Sequence, residues 1–403
     1  MTRVEIAELE PGSAVGTMDS LAPVAPTSWE RSLLRPHHPF LEYGSWRLFL
    51  VIRDGRPAAR AIAAVDSRQT SGAGQVGTIG FLAHDGDLGG LELAIGRAEA
   101  WLAESGARVG RCPVQFSTWF GHRLGLDGIA DSSCFAMEPA PAPEVAELLE
   151  RRGYVAAHRA VSHLVSNDRA IAGARRGPRR LQVSGFRERA LDRDGLEADV
   201  DAIYRVATAA FRTSWGNSEI SPCEFRALYL PVARAADPEL VRLIESPLGE
   251  VVGFAFAFGE RVAGRSCRAG DGAPRSTPGR PPHALEAAAT IEPTDIVDAA
   301  RLRRDEVDIM DTTTVGEDGD SRRRESGFVL KSLAVTPRVA AETPGLGLAL
   351  VARLHELAEE RGWHFGIHAL TTQGSSTHKV SARWGKQIRS YATFERALSG
   401  GRP

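Results

Sequence analysis

Residues 328–362, FVLKSLAVTPRVAAETPGLGLALVARLHELAEERG, form the most informative stretch of this chain. The apolar run at 329–335 predicts a strand, which Pro337 ends. After a loop, apolar side chains at helical spacing predict an amphipathic helix, and these are Leu350, Leu354 and Leu357. A strand, a loop and a helix therefore follow one another in this stretch.

The turn that opens this helix contains Gly345, Leu346 and Gly347. Several backbone N–H groups at a helix start lack an intrahelical partner, and the helix dipole adds roughly half a positive charge there. Such a turn suits a phosphate or pyrophosphate, and glycine lets the ligand approach the backbone because it has no side chain. A lone Gly-x-Gly also fits an ordinary strand-to-helix connection, so the flanking sequence has to decide.

The segment resembles the acyl-CoA binding motif of GCN5-related N-acetyltransferases, the GNAT superfamily. In that motif LxVxP ends a splayed strand, and the matching residues are Leu333, Val335 and Pro337. An Arg/Gln-x-x-Gly-x-Gly/Ala loop then wraps the pyrophosphate, and Gly345 and Gly347 match its glycines. Glu342 stands where the family has Arg or Gln, and an exposed carboxylate there would disfavour a pyrophosphate by about 1 kcal/mol.

Length and composition restrict the class of protein. At 403 residues the chain is long for one domain and suits two, and its formal charge of −2 provides no general nucleic-acid or membrane footprint. No apolar run approaches the roughly 20 residues of a membrane span, and the acidic start argues against a signal peptide. We therefore expect a cytoplasmic protein. No metal site or disulfide framework is expected, because the cysteines are scattered without ligand spacing: Cys112, Cys134, Cys223 and Cys267.

Both halves of the chain show the same predicted order: a β-hairpin, a strand, a helix, a strand, a helix and a final strand, which suggests a tandem duplication. The predicted fold class is α/β, with two tandem GNAT-like domains, each a mixed, mostly antiparallel twisted sheet flanked by helices. We expect a loosely ordered lead-in at 1–30, a degenerate domain at 31–166, a linker at 167–180 and the acyltransferase domain at 181–403. The basic run ARRGPRR in the linker is interpreted as a solvated segment, with a nucleic-acid patch as the alternative.

A long insert at 259–326 interrupts the second domain. It is poor in hydrophobic residues and rich in Gly, Pro and Arg, so it cannot bury enough apolar surface to offset the entropy of ordering. We predict that it is disordered. The functional alternative is a substrate lid or a partner-docking arm.

The resemblance covers most of the chain. In the second half, GEVVGFAFAF, LKSLAVTP and HALTTQGSSTHKVSARWG are similar to the C-terminal domain of bacterial tandem GNAT proteins. The first half, with HPFLEYGSWRLFLVIRDGRP and RCPVQFSTWFGHRL, is similar to their degenerate N-terminal domain. Its glycines, in HDGDLGG, accompany two aspartates that would repel a pyrophosphate. The resemblance therefore implies one acyl-CoA site per chain and a first domain that serves as a scaffold or as a wall of the acceptor site.

The resemblance also implies where the donor lies. Two central strands splay apart, and the acyl carbonyl meets a backbone N–H of the first strand, which acts as an oxyanion donor. The expected donor-binding residues are Leu333, Ala334 and Val335 on that strand, and Gly345, Leu346 and Gly347 in the turn. The donor itself would be acetyl-CoA or another acyl-CoA.

Catalytic candidates come from the partner strand and the last helix. His368 lies on the strand lining the gap and has an ordinary pKa near working pH, so it is the expected base or organiser of a water chain, with a structural histidine as the alternative. Ser375 stands where many relatives carry Asn. Ser381 replaces the frequent Tyr acid, and a serine hydroxyl is a poor acid at neutral pH.

The first two helices of the second domain would roof the acceptor pocket, and its expected residues are Trp215, Asn217, Glu219 and Tyr229, which equally fit cap and packing roles. The predicted function is transfer of an acyl group, with acetyl expected, from CoA to the amine of a small molecule; a role in specialised metabolism would be consistent with this. Two alternatives remain: an acyl or aminoacyl transferase with a carrier-protein or aminoacyl-tRNA donor, and a catalytically silent GNAT-like binding protein. No membrane partner is expected, and the oligomeric state is left open.

Overall fold

The computed structural model describes residues 3–17, 20–127, 135–263 and 324–398. The strands in these residues are β1 (Val4–Leu9), β2 (Gly44–Arg53), β3 (Arg56–Ser71), β4 (Gly74–His84), β5 (Val109–Cys112), β6 (Leu124–Gly125), β7 (Val155–Ser166), β8 (Arg187–Ala190), β9 (Val241–Glu245), β10 (Val251–Ala263), β11 (Arg324–Val335), β12 (Phe365–Thr372) and β13 (Gly385–Ala397).

The α-helices in the same residues are α1 (Pro11–Thr17), α2 (Ser28–Leu33), α3 (Leu88–Glu104), α4 (Pro143–Arg151), α5 (Asn167–Ala174), α6 (Arg176–Val183), α7 (Leu196–Phe211), α8 (Pro222–Ala235), α9 (Pro337–Glu342), α10 (Leu346–Glu360) and α11 (Ser376–Trp384). Short 3-10 helices lie at Pro39–Glu42 and Pro238–Leu240.

The described strands form one continuous sheet in the order β1-β2-β3-β4-β5-β13-β7-β12-β11-β10-β9-β8, with β6 beside β13. Most neighbours are antiparallel, whereas β4–β5 and β11–β12 are parallel. Helix α3 packs on β2, β3 and β4, and α10 packs on β10, β11 and β12. The predicted fold class, a mixed and mostly antiparallel sheet flanked by helices, is confirmed.

The repeated order of elements is also confirmed. The hairpin β2–β3 is followed by β4, α3, β5, α4 and β7 in the first half. In the second half the hairpin β9–β10 is followed by β11, α10, β12, α11 and β13. The helices α7 and α8 precede the second hairpin and pack on each other.

The last strand of each half pairs with the other half. Strand β7 lies between β12 and β13, and β13 lies between β5 and β7. The β7–β13 ladder runs from Val165 opposite Gly385 to Val155 opposite Glu395. The ranges 31–166 and 181–403 therefore contribute to one shared sheet, which the pattern along the chain did not reveal.

Two expectations about connecting segments are wrong where the structure describes them. The expected lead-in at 1–30 contains β1, which pairs with β2, and the helix α1. The expected linker at 167–180 forms α5 and α6, which both pack on α10. Gly177 lies so close to Ala349 that a Cβ atom would be 2.3 Å from its backbone nitrogen, so this segment is tightly docked.

The loop expected after Pro337 also contains a short helix, α9. The ends of the insert expected at 259–326 lie in β10 and β11, which remain paired as far as Ala263 opposite Arg324. The predicted disorder concerns 264–323, which lie outside the described residues. In the part of the chain that the structure describes, no helix is both long and apolar enough to cross a membrane.

Candidate functional site

The parallel strands β11 and β12 separate in the middle of the sheet. Their pairing ends where Leu330 lies opposite His368. At this level β11 has an extra residue, Lys331, relative to β10, and β12 bulges between His368 and Thr371 relative to β7. A bulge bends its strand and increases the local twist. The two bulges lie on the outer sides of the pair, so together they mark the point from which the strands diverge.

The bulge in β12 is held by a side chain from the first half of the chain. Leu370 has a φ of +55°, which a branched side chain rarely adopts. Its N–H donates to the Ser162 hydroxyl at 3.0 Å, and that hydroxyl lies 3.1 Å from the Tyr391 hydroxyl. Strands β7 and β13 therefore help to set the shape of the gap between β11 and β12.

The free end of β11 leads to the predicted phosphate turn. Gly345 has a φ of +96° and precedes the first residue of α10. The N–H groups of Leu346 and Gly347 occupy the first positions of that helix, where an intrahelical acceptor does not exist. A Cβ atom on Gly347 would meet only Val335 and Leu333, at 3.8 and 3.9 Å, so the fold itself does not require glycine there. Packing therefore does not explain why position 347 is a glycine. The absence of a side chain there is expected if a ligand approaches the turn.

The carboxylate that departs from the motif is neutralised locally. Glu342 accepts a hydrogen bond from Arg338 Nε at 2.9 Å across one turn of α9, and both side chains are exposed. Arg338 therefore places a positive charge beside the carboxylate of Glu342. The exposed pair is worth little for stability and leaves the guanidinium free to turn towards an anion.

Comparisons with known proteins bear on the fold. No protein-family model and no curated protein matches the sequence. Among solved structures, a probable N-acyltransferase from Enterococcus faecalis V583 aligns over 99% of this chain and 74% of its own, with 11% identity and a TM-score of 0.50. The GCN5-related glucosamine N-acetyltransferase region of a fungal multi-domain β-N-acetylglucosaminidase aligns over 98% of this chain, with 10% identity and a TM-score of 0.49. This chain spans 38% of the fungal chain.

A tandem GNAT protein from the clavulanic acid biosynthesis pathway aligns over 99% of this chain and 100% of its own, with 10% identity and a TM-score of 0.45. The chain shares the overall fold of the probable N-acyltransferase from Enterococcus faecalis. At identities this low the likeness concerns the fold alone.

The equivalent place in the first half of the chain, at the start of α3, is closed. The Asp87 carboxylate caps α3 by accepting a hydrogen bond from Gly90 N at 2.9 Å, and it also pairs with Arg53. A phosphate would have to displace this carboxylate. The strands β4 and β5 do not leave a gap either, because Val114 N donates to Ile79 O at 2.8 Å just beyond their paired residues.

His368 lies on β12 as expected, but its side chain faces α10 and α11. Its Nδ1 is 2.8 Å from the Ser381 hydroxyl and its Nε2 is 3.1 Å from His355 Nε2. His355 Nδ1 in turn meets Asn167 Oδ1 at 2.8 Å. Burial lowers the pKa of His368 to about 3, so the ring is neutral throughout the physiological range. A buried neutral ring with both nitrogens occupied does not fit the expected role of a base.

The two serines have structural partners as well. Ser375 caps α11, since its hydroxyl accepts from His378 N at 3.1 Å. Ser381 is fully buried and lies 2.9 Å from Thr377 O as well as beside His368. Ser381 therefore belongs to the polar chain that starts at Asn167, and its hydroxyl is not exposed towards the gap.

The four expected acceptor residues separate into two places. Tyr229 lines a cavity between α7, α8 and the sheet, next to Trp119 of the first unit, whose carbonyl accepts from the Tyr229 hydroxyl at 3.4 Å. The cavity floor includes Phe254, Phe256 and Ser332, so it reaches the bulge of β11.

Trp215 does not line this cavity, and its ring stacks on His158 of β7 with ring centroids 5.1 Å apart. Asn217 closes the preceding turn by donating its N–H to Ser214 O at 3.1 Å. Glu219 is exposed. The structure therefore brings Tyr229 to the cavity and Trp215 to β7, and Asn217 and Glu219 do not line the cavity.

Lys331 is the titratable residue that the sequence interpretation missed at the gap. Its ammonium group donates to Met137 O at 3.0 Å, and burial followed by the charge of Arg123 lowers its pKa to about 7. Only two other lysines, Lys379 and Lys386, occur in the chain, and both are exposed. The scarcity of lysine was the one available signal, because a lysine within the donor motif of such a sequence is unusual.

Proposed function

We propose that this protein is an acyl-CoA-dependent N-acyltransferase that acts on the amine of a small molecule. The observation that carries the proposal is that the pairing of β11 and β12 ends at Leu330 and His368. Beyond this point the chain passes through the short helix α9 to the glycine turn at the start of α10. A gap between parallel strands can receive an extended amide-bearing arm as a strand would, and the helix start can receive its pyrophosphate.

The chemistry required of the chain is limited. A backbone N–H among Leu333, Ala334 and Val335 would donate to the acyl oxygen and stabilise the negative charge that develops on it. The amine nitrogen forms a bond to the acyl carbon, the carbon–sulfur bond breaks, and the thiolate leaves. The proton of the attacking nitrogen must pass to a base.

We assign this base to Lys331 in place of His368. A lysine whose pKa lies near 7 is neutral in a substantial fraction of molecules at neutral pH and can accept a proton. Its amine can keep its hydrogen bond to Met137 O while the lone pair receives the proton. Its position on the bulge of β11 places it beside the proposed thioester site.

The donor site is tested with Gly347→Val. The new side chain covers the helix N-terminus, so the affinity for acetyl-CoA should fall at least about 100-fold, as for loss of several charge-assisted hydrogen bonds. Isothermal calorimetry on the full chain should give one site in the unchanged protein. Gly89→Val, at the start of α3, is the matched control and should leave binding unchanged.

The activity is tested by thiol release from acetyl-CoA with a panel of amines. Two binding sites, or unchanged affinity in Gly347→Val, would contradict the assigned donor site. Tight acetyl-CoA binding without thiol release for any amine would instead favour a carrier-protein or tRNA donor, or a binding protein.

A further inference from the structure

Arg123 is half-buried, and its Nε atom lies buried beside the proposed acceptor site, without a hydrogen-bond partner among the described residues. Arg123 follows the loop after β5 and has a φ of +94°, a backbone conformation that side chains other than glycine rarely adopt. Its Nε is buried and has no hydrogen-bond partner among the described residues, and no described carboxylate forms an ion pair with it. A guanidinium in such surroundings is costly unless an anion accompanies it.

The side chains around Arg123 are basic as well. Burial, followed by the charge of Arg123, lowers the pKa of His158 to about 4, and the same two causes lower the pKa of Lys331. His122 lies 5.9 Å from His158 between ring centroids, and burial and Arg123 hold its pKa well below the usual range. His158 Nδ1 is buried without a hydrogen-bond partner among the described residues. These groups form a site that repels cations, and Arg123 Nε and His158 Nδ1 remain able to form hydrogen bonds there.

The carboxylate whose charge acts on Lys331, Glu138, has partners of its own. Glu138 accepts a hydrogen bond from the Tyr391 hydroxyl and lies 3.4 Å from Arg389 Nε. Burial and Glu138 raise the pKa of Tyr391, so the phenol beside Arg123 remains neutral. The surroundings of Arg123 therefore suit one negative charge, and no described side chain supplies it.

This place borders the proposed reaction site. His158 Nε2 lies 3.1 Å from the Thr372 hydroxyl at the end of β12, and Trp215 of the expected acceptor wall stacks on the same imidazole. Lys331, on the bulge of β11, also borders this place, since the charge of Arg123 acts on it. A molecule that reached the gap from the Trp215 side would pass the unpaired guanidinium.

We propose that the acceptor amine carries a carboxylate, which binds Arg123 together with the neutral imidazole of His158. The inference rests on the proposed acyltransferase function. A planar carboxylate matches the fork of a guanidinium, and one full cation with one neutral donor suits a monoanion better than a phosphate dianion. The same cationic surroundings favour the uncharged form of the acceptor amine, which is the form that attacks.

The test compares amino acids with their amides. In the thiol-release assay with acetyl-CoA, kcat/KM for a set of L-amino acids should exceed that for the matching amino-acid amides by about 10- to 100-fold. Arg123→Met should remove this preference, Arg123→Lys should keep part of it, and the exposed control Arg56→Met should keep all of it. Because methionine needs no counter-anion, Arg123→Met should remain folded.

Two further arms separate the possible sources of failure. If the anion belongs to the acyl group, succinyl-CoA with a neutral amine would be favoured over acetyl-CoA, and Arg123→Met would remove that preference instead. If transfer fails for every amine, thermal shifts still decide: amino acids should raise the melting temperature more than their amides in the unchanged protein and not in Arg123→Met. Equal effects of acid and amide in both assays would overturn the proposal.

Discussion

At the scale of single residues, burial lowers the pKa values of both His368 and Lys331 and so changes which of them can act as a base near neutral pH. His368 and Lys331 lie on neighbouring strands at nearly the same level of the sheet. The histidine is enclosed by His355 and Ser381 and has a pKa of about 3, whereas the pKa of the lysine falls to about 7. Both shifts have the same first cause, since loss of water disfavours the charged form of either base.

The pH dependence of turnover should report Lys331. A base must be uncharged to act, so kcat should rise between about pH 6 and pH 8 as a group with a pKa of about 7 loses its proton. Lys331→Met should lower kcat by about 100-fold or more and flatten this rise. Lys386→Met, which alters an exposed lysine, should change neither.

His368→Ala should instead lower the stability of the protein and leave the pH profile of turnover unchanged. It leaves His355 and Ser381 without a buried partner, so the free energy of unfolding should fall by about 1–3 kcal/mol for each lost bond. The folded protein should keep the pH profile of Lys331. A profile that is lost in His368→Ala and kept in Lys331→Met would restore the histidine as the base.

At the scale of elements, the start of α8 shows how far local sequence patterns reach. The spacing of Ser221 and Glu224 is typical of a capping box at a helix start, and both of its hydrogen bonds are present. Local sequence could not indicate that Glu224 also binds Arg68 of β3 at 2.8 Å, since 156 positions separate the two residues. Arg68 pairs with Asp66 too, at 2.6 Å, and the side chains of both acids are fully buried.

Arg68→Ala should therefore destabilise the protein more than removal of the cap. It leaves two buried carboxylates without their cation, which is expected to cost about 3–5 kcal/mol of unfolding free energy. Ser221→Ala should cost about 1 kcal/mol. Urea unfolding at pH 8 measures both, and the loss in Arg68→Ala should shrink at pH 5 because buried, unpaired carboxylates then take up protons. Equal losses in the two variants would show that the inter-unit ion pair contributes nothing beyond the cap.

At the scale of the whole molecule, the two halves of the chain depend on each other. Strand β12 has β7 as its neighbour on the side away from β11, and β13 has β5 and β7. A second unit made alone would expose the edge of β12 and leave β13 without either partner. An unpaired strand edge of this kind favours aggregation.

Fragments 1–184 and 185–403 should consequently not fold separately. Expressed together, they should assemble into a complex that binds acetyl-CoA, because the split at the exposed Gly185 interrupts no strand or helix. Full-length protein cleaved there after folding is the control and should stay assembled. Cooperative unfolding of isolated 185–403 would show that the exchanged strands are dispensable.

Local sequence alone determined the order of the elements, the capping box of α8 and the glycine turn at Gly345, because each depends on residues close together in the chain. It also indicated why the first unit lacks a phosphate turn, since Asp87 is visible in HDGDLGG. Only the tertiary structure decided that β7 and β13 exchange places, because strand pairing joins distant segments. It also decided which titratable side chain borders the gap, because one extra residue in a strand changes the face on which the following side chains lie.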